Sequence, residues 1–231
     1  MTDKVVLLTR AISGFGRAAA FVFDRNGSRV VVSGRRDEEG KTLAAQMLKV
    51  AEHALYVRAD MRNGQDVRNL IEFTIDRFGR LDAAVNSAGC ERLARAVLHR
   101  SCNRYVATFQ TRALGVVLGV QHEVAEWRAC GSSHIVNLSS ATPLMAAGMP
   151  IKNGGGSAAD SWAQTNEMDV VAFGSRANGM ARGPNRRRAP YSSMPSEGPV
   201  SWDEAAGAIL FAASDEASNI TLQFLCVDGG K

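Results

Sequence analysis

The chain has 231 residues, 45% of them hydrophobic and 22% charged, with a formal net charge of +4. This is the balance of a soluble globular protein long enough to bury a substantial core. No apolar run is long enough to span a bilayer, and the start, MTDKVVLLTR, lacks a signal-peptide layout, so no membrane partner and a cytoplasmic location are expected.

Cys90, Cys102, Cys130 and Cys226 form no CxxC pair, and His53, His99, His122 and His134 show no metal-ligand spacing with them, so no metal site is expected. Arginines cluster in RGPNRRRAP (182–190) and through Arg92, Arg95, Arg100 and Arg104. No aromatic residues interleave with them, so they read as a solvated loop and helix face and not as a nucleic-acid surface.

KVVLLT (4–9) reads as a buried strand, followed by a small-residue loop and a helical segment, GRAAAFVFDRNG (16–27). RVVVSG (29–34) is a second strand, and DEEGKTLAAQMLKV (37–50) a charged helix. ALYVRAD (54–60) is the third strand, GQDVRNLIEFTIDRFG (64–79) a helix and LDAAVNSAG (81–89) the fourth strand. A long helical stretch covers 105–129, and SHIVNLSS (133–140) is a further strand. A helix is expected from Ser157, then a loop rich in Arg, Pro and Ser, a helix over 202–213 and a last strand, FLCVDGG (224–230). Strands alternating with helices, apolar on both sheet faces, predict an α/β fold: a Rossmann-like doubly wound parallel sheet with helices on both faces. No linker or repeat divides the chain, which predicts one domain over residues 1–231.

TRAISGFG (9–16) joins the first strand to the first helix, where glycines permit a tight turn and close approach of a pyrophosphate to the helix N-terminus. With this loop, Asp60 in RADM, NSAG (86–89), IVNLSS (135–140) and CVDGG (226–230), the chain resembles the classical short-chain dehydrogenases/reductases almost end to end. The resemblance implies about seven strands in the sheet. It also implies NAD(P)-dependent hydride transfer between a carbonyl and an alcohol on a small-molecule substrate, in a homodimer or homotetramer. The cofactor is implied to lie along Thr9, Ser13, Gly14, Phe15, Gly16, Asp60, Met61, Asn86, Ala88 and Gly89. At the end of the second strand, where NAD-preferring members carry an acid, stand Arg35 and Arg36, which suit the 2′-phosphate of NADP better than NAD.

The chain departs from the family at the sites of chemistry. Arg10 stands where the family has the first glycine of its loop. A positive φ there strains a side chain by roughly 1–2 kcal/mol, which predicts weakened cofactor binding. Ser140 matches the catalytic serine. One alignment of IKNGGGSAADSW places Lys152 on the family tyrosine and Gly156 on its lysine; shifted by one, it places Asn153 and Ser157 there. Neither frame restores the tyrosine and lysine. The family's asparagine position is Arg112, and RG at Arg182–Gly183 replaces the usual PG. None of Tyr56, Tyr105 and Tyr191 has a lysine four residues on. Two functions follow as alternatives: an oxidoreductase of weak or lost activity, or a silent scaffold binding a nucleotide or a protein. Three glycines in KNGGG disfavour a helix through 152–156, at about 0.8–1.0 kcal/mol each relative to alanine. Ser157 with Asp160 resembles a capping box, so the helix is expected to start at or just after Ser157.

Overall fold

The computed structural model describes residues 1–48, 53–87, 102–130, 133–140, 171, 174–182 and 200–228. Val5–Thr9 (β1) and Arg29–Gly34 (β2) are nearly continuous buried runs, as strands covered on both faces must be. With Ala54–Arg58 (β3), Ala83–Asn86 (β4), His134–Ser140 (β5), Arg176–Arg182 (β6) and Phe224–Val227 (β7) they form a seven-stranded sheet. Every neighbouring pair is parallel, in the order β3-β2-β1-β4-β5-β6-β7. The winding reverses between β1 and β4, and a doubly wound sheet opens its ligand crevice at that switch point, beyond the carboxyl ends of the strands.

The described helices are Gly14–Arg25 (α1), Asp37–Met47 (α2), Gly64–Phe78 (α3), Cys102–Phe109 (α4), Gly115–Cys130 (α5) and Trp202–Ala213 (α6). Alternate residues of the strands feed two cores. Val6, Leu8, Val30 and Val32 pack with Ala19, Phe23, Leu43 and Ile209 on one face. Val5, Leu7 and Val31 pack with Leu70, Ile71, Val120 and Trp127 on the other. Each such side chain stabilises the fold by about 1.5–3 kcal/mol, so the sheet is held from both sides. Asn63 caps α3 by accepting from the Gln65 N–H at 2.9 Å, and Ser201 and Glu204 form a reciprocal capping box on α6. Among the described residues, no helix is long and apolar enough to cross a membrane.

Several expected boundaries move. β3 ends at Arg58, β4 spans Ala83–Asn86 and β7 spans Phe224–Val227, each shorter than its sequence pattern. The helical stretch around 105–129 is interrupted by a π-helical turn, Gln110–Leu114. β6, RANGMAR, does not read as a strand because it carries Arg176 and Asn178. Both are buried, and most of their polar atoms are hydrogen-bonded, the Arg176 Nε being the exception. The Arg176 guanidinium donates to the carbonyls of Ser214 at 2.8 Å, Ile220 at 3.1 Å and Ala212 at 3.3 Å, at the C-terminal end of α6, where a cation is favoured. Asn178 donates to the Ile220 carbonyl at 2.9 Å, and its own oxygen accepts from the Gln223 N–H at 3.2 Å. Gly179 is required because a Cβ there would stand 2.4 Å from the Phe224 ring. The helix expected from Ser157 lies outside the described residues.

Candidate functional site

The loop between β1 and α1 is built for close approach. Gly16 has room only for hydrogen, since a Cβ would stand 2.9 Å from the Ala11 Cα and 3.3 Å from the Ser87 Oγ. Gly14 takes φ +61°, which favours glycine, and the space beside it is open. Ser13 is exposed and its side chain caps none of the first N–H groups of α1, while Phe15 turns into the core. Arg10 adopts φ +52°, the strained conformation that its place in the loop predicts. The Ala11 N–H holds the loop to the Ser33 carbonyl at 3.0 Å. Open space at Gly14 leaves room for an anionic group at the start of α1, while the close contacts at Gly16, with Ala11 and Ser87, keep the turn tight.

The ends of β2 and β3 form the next part of the edge. Ile12 covers Gly34, and Tyr56 lies across Gly40, where no Cβ would fit. The Tyr56 hydroxyl donates to the Gly34 carbonyl at 2.8 Å, and burial raises its pKa, so this tyrosine is structural. Arg35 and Arg36 diverge. Arg36 pairs with Glu39 one helical turn on, Nε to Oε2 at 2.6 Å. Arg35 leans towards Asp60, Nη1 to Oδ2 at 4.0 Å. Asp60 is held by Arg62: Nε lies 3.0 and 3.1 Å from its two oxygens, Nη2 lies 2.5 Å from Oδ2, and the Arg62 N–H donates to Oδ1 at 3.1 Å. The Arg62 side-chain bonds hold the Asp60 carboxyl below its usual range. Met61 is buried against Gly115, where a Cβ would stand 3.3 Å from the Met61 Cβ.

Across the switch point, Thr9 pairs with Asn86, and Asn86 with Asn137, in register at the same edge. The Asn86 Nδ2 donates to Glu123 Oε2 at 3.1 Å. Glu123, on α5, is fully buried, and its Oε1 has no hydrogen-bond partner. Burial pushes its carboxyl up to about 8 against the smaller opposing effect of the Asn86 bond, so it is protonated at neutral pH. Gly119 leaves room for this pair, since a Cβ there would stand 3.0 Å from the Asn86 Oδ1.

Ser140 ends β5, opposite Arg182 at the end of β6, on the same edge as Thr9 and Asn86. Arg112 falls within the π-helical turn, a distortion frequent at functional sites. Thr9, the 13–16 turn, Arg35, Arg36, Asp60, Met61, Asn86 and the backbone of Ser140 thus gather at the carboxyl ends of the strands, with Arg36 paired to Glu39. Ala88, Gly89 and Lys152 lie outside the described residues. Arg62 and Glu123 escaped the sequence reading. The signal for Glu123 was present: it shares the buried stripe of Val116, Val120 and Trp127 at helical spacing. Arg62 offered no such pattern.

A seven-stranded doubly wound sheet with a glycine turn at its switch point defines a nucleotide-binding class of fold. The short chain dehydrogenase family matches residues 4–169. An A-factor type γ-butyrolactone 1′-reductase (1S-forming) of Streptomyces virginiae is 32% identical, covering 100% of this chain and 96% of that protein. A trans-4-hydroxycyclohexanecarboxylate dehydrogenase of Sinomonas cyclohexanicum is 27% identical, covering 100% and 93%. A short-chain type dehydrogenase/reductase from Mycobacterium ulcerans, 21% identical, superposes with a TM-score of 0.93 over 100% of this chain and 90% of that one. The chain belongs to the short-chain dehydrogenase/reductase family, a family of oxidoreductases.

Proposed function

We propose that the chain binds NADP(H) in preference to NAD(H) and that its carbonyl–alcohol chemistry is weak or lost. The observation that carries the reading is the fate of its tyrosines. A proton donor for the developing alkoxide must lie within hydrogen-bond reach. The Tyr56 hydroxyl is bound to the Gly34 carbonyl, and neither Tyr105 nor Tyr191 has a lysine four residues on. One alignment puts Lys152 and Gly156 in the places of the family tyrosine and lysine, the other Asn153 and Ser157.

In this reading the turn at Ser13–Gly16 carries the pyrophosphate, Arg35 faces the 2′-phosphate, and Asp60 and Met61 bound the adenine. Thr9, Asn86, Ala88 and Gly89 line the path of the nicotinamide half. The bound cofactor supplies the hydride. Ser140 polarises the carbonyl, and Lys152 is the residue left to hold a proton near it. An ordinary ammonium titrates near 10.4, and no second lysine holds the ribose. The γ-butyrolactone 1′-reductase and the trans-4-hydroxycyclohexanecarboxylate dehydrogenase are named for ring-bearing substrates, which supports a small carbonyl or alcohol as substrate. A cytoplasmic homodimer or homotetramer completes the reading.

The test is NADPH consumption with small cyclic ketones. Turnover about 10²–10⁴-fold below that of an intact relative is expected, the usual contribution of a positioned general acid. Robust turnover that survives Lys152→Ala contradicts the reading. NADPH binding without any turnover marks the chain as a nucleotide-binding scaffold, the alternative that the same tyrosines support.

A further inference from the structure

The clasp between Asp60 and Arg62 sits where two halves of a dinucleotide's adenosine would be read. A carboxylate offers about four lone-pair sites. Arg62 directs three N–H groups at those of Asp60: its backbone N–H to Oδ1, its Nε–H shared between both oxygens and its Nη2 to Oδ2. An adenine amino group arriving at Asp60 therefore finds most of its acceptors taken. Arg35 adds a second guanidinium 4.0 Å from the same Oδ2. Asp60 thus holds two cations at once, while Arg36 is neutralised separately by Glu39.

We infer that Arg62 is a latch on Asp60 that a 2′-phosphate releases, and that Arg62 with Arg35, not Arg36, sets the preference for a 2′-phosphorylated adenosine. This rests on the reading that the crevice takes NADP. A phosphate monoester carries about −1.5 to −2 charges at pH 7 and accepts bidentate guanidinium bonds, so it outcompetes a single carboxylate for Arg62. Once Arg62 turns to the phosphate, Asp60 regains acceptors for the adenine amino group. An adenosine without the 2′-phosphate must displace Arg62 and offers it no anion in return. The same residue then favours one ligand and disfavours the other.

The test is calorimetric titration of the intact chain with adenosine 2′,5′-bisphosphate and with 5′-AMP, which differ only in that phosphate. The wild-type chain is expected to bind the bisphosphate about tenfold or more tightly, the scale of one charge-assisted hydrogen bond. Arg62→Ala is expected to weaken the bisphosphate by about tenfold and to leave 5′-AMP unchanged or tighter. Arg36→Ala is expected to change both by less than about twofold, as befits an exposed pair. Arg62→Gln, which keeps much of the side chain's bulk, repeats the measurement should the alanine variant fold poorly. A wild-type preference for the bisphosphate combined with equal losses of both ligands in the Arg62 variants, or with no loss, overturns the latch alone. So does failure of both variants to fold, which makes the clasp structural. A wild-type chain that does not discriminate the two ligands, or binds neither, overturns the NADP reading and the latch together.

Discussion

Asp60 and Glu123 are both carboxyls beside the same crevice, and their surroundings drive them in opposite directions. Asp60 stands partly open at the end of β3, and the Arg62 guanidinium holds its pKa down. Glu123 is enclosed between α5 and β4 with a neutral amide for company, and burial pushes it up to about 8. One is a charge with most of its acceptors engaged. The other is a neutral acid with an unused oxygen. At the end of β3 charge is kept by pairing and left exchangeable, while at the switch point it is suppressed by burial.

The largest effect expected from breaking this contrast is at Glu123. The unfolded chain loses this proton near 4.5, and the folded chain near 8. Between those values the unfolded state binds fewer protons, so stability falls as pH rises and then levels above about 8. The full window amounts to on the order of 5 kcal/mol. Glu123→Gln keeps an oxygen for Asn86 and removes the proton. Denaturant melts are expected to show the variant more stable than wild type at pH 8.5 by that order, and nearly equal near pH 4.5. Parallel pH profiles for the two proteins would show that Glu123 is not the buried acid described here.

Arg10 gives the next effect. Its φ of +52° strains a non-glycine residue by roughly 1–2 kcal/mol. Arg10→Gly is expected to raise stability and to tighten dinucleotide binding severalfold, read by thermal melts and titration. An unchanged dissociation constant would mean that the arginine is accommodated at the loop.

The smallest effect belongs to the surface pair of Arg36 and Glu39. Glu39→Gln is expected to change stability by less than about 1 kcal/mol, as exposed pairs do. A larger loss would show that the Arg36–Glu39 pair organises the end of β2.

The sheet was legible because its central strands are runs such as VVLL and VVV, which few other structures accept, and the glycine turn lies between a strand and a helix. β6 was not, because Arg176 and Asn178 look like loop residues until the carbonyls of Ile220 and Ser214 come beside them. The divergence of Arg35 and Arg36 was equally hidden. Adjacent residues carry no sign of which will meet Asp60 and which Glu39. Glu123 was visible as an acid on an apolar stripe, but its partner lies 37 positions away in sequence. Periodicity reports burial, and it does not report who meets whom across the sheet.

We propose that this fold keeps an NADP-selective crevice while its proton-transfer residues have changed. Calorimetric titration of the intact chain with NADPH and with NADH decides it. Tighter binding of NADPH, with the advantage lost in Arg35→Ala, is the predicted result; equal affinities, tighter NADH, or no binding of either would contradict it.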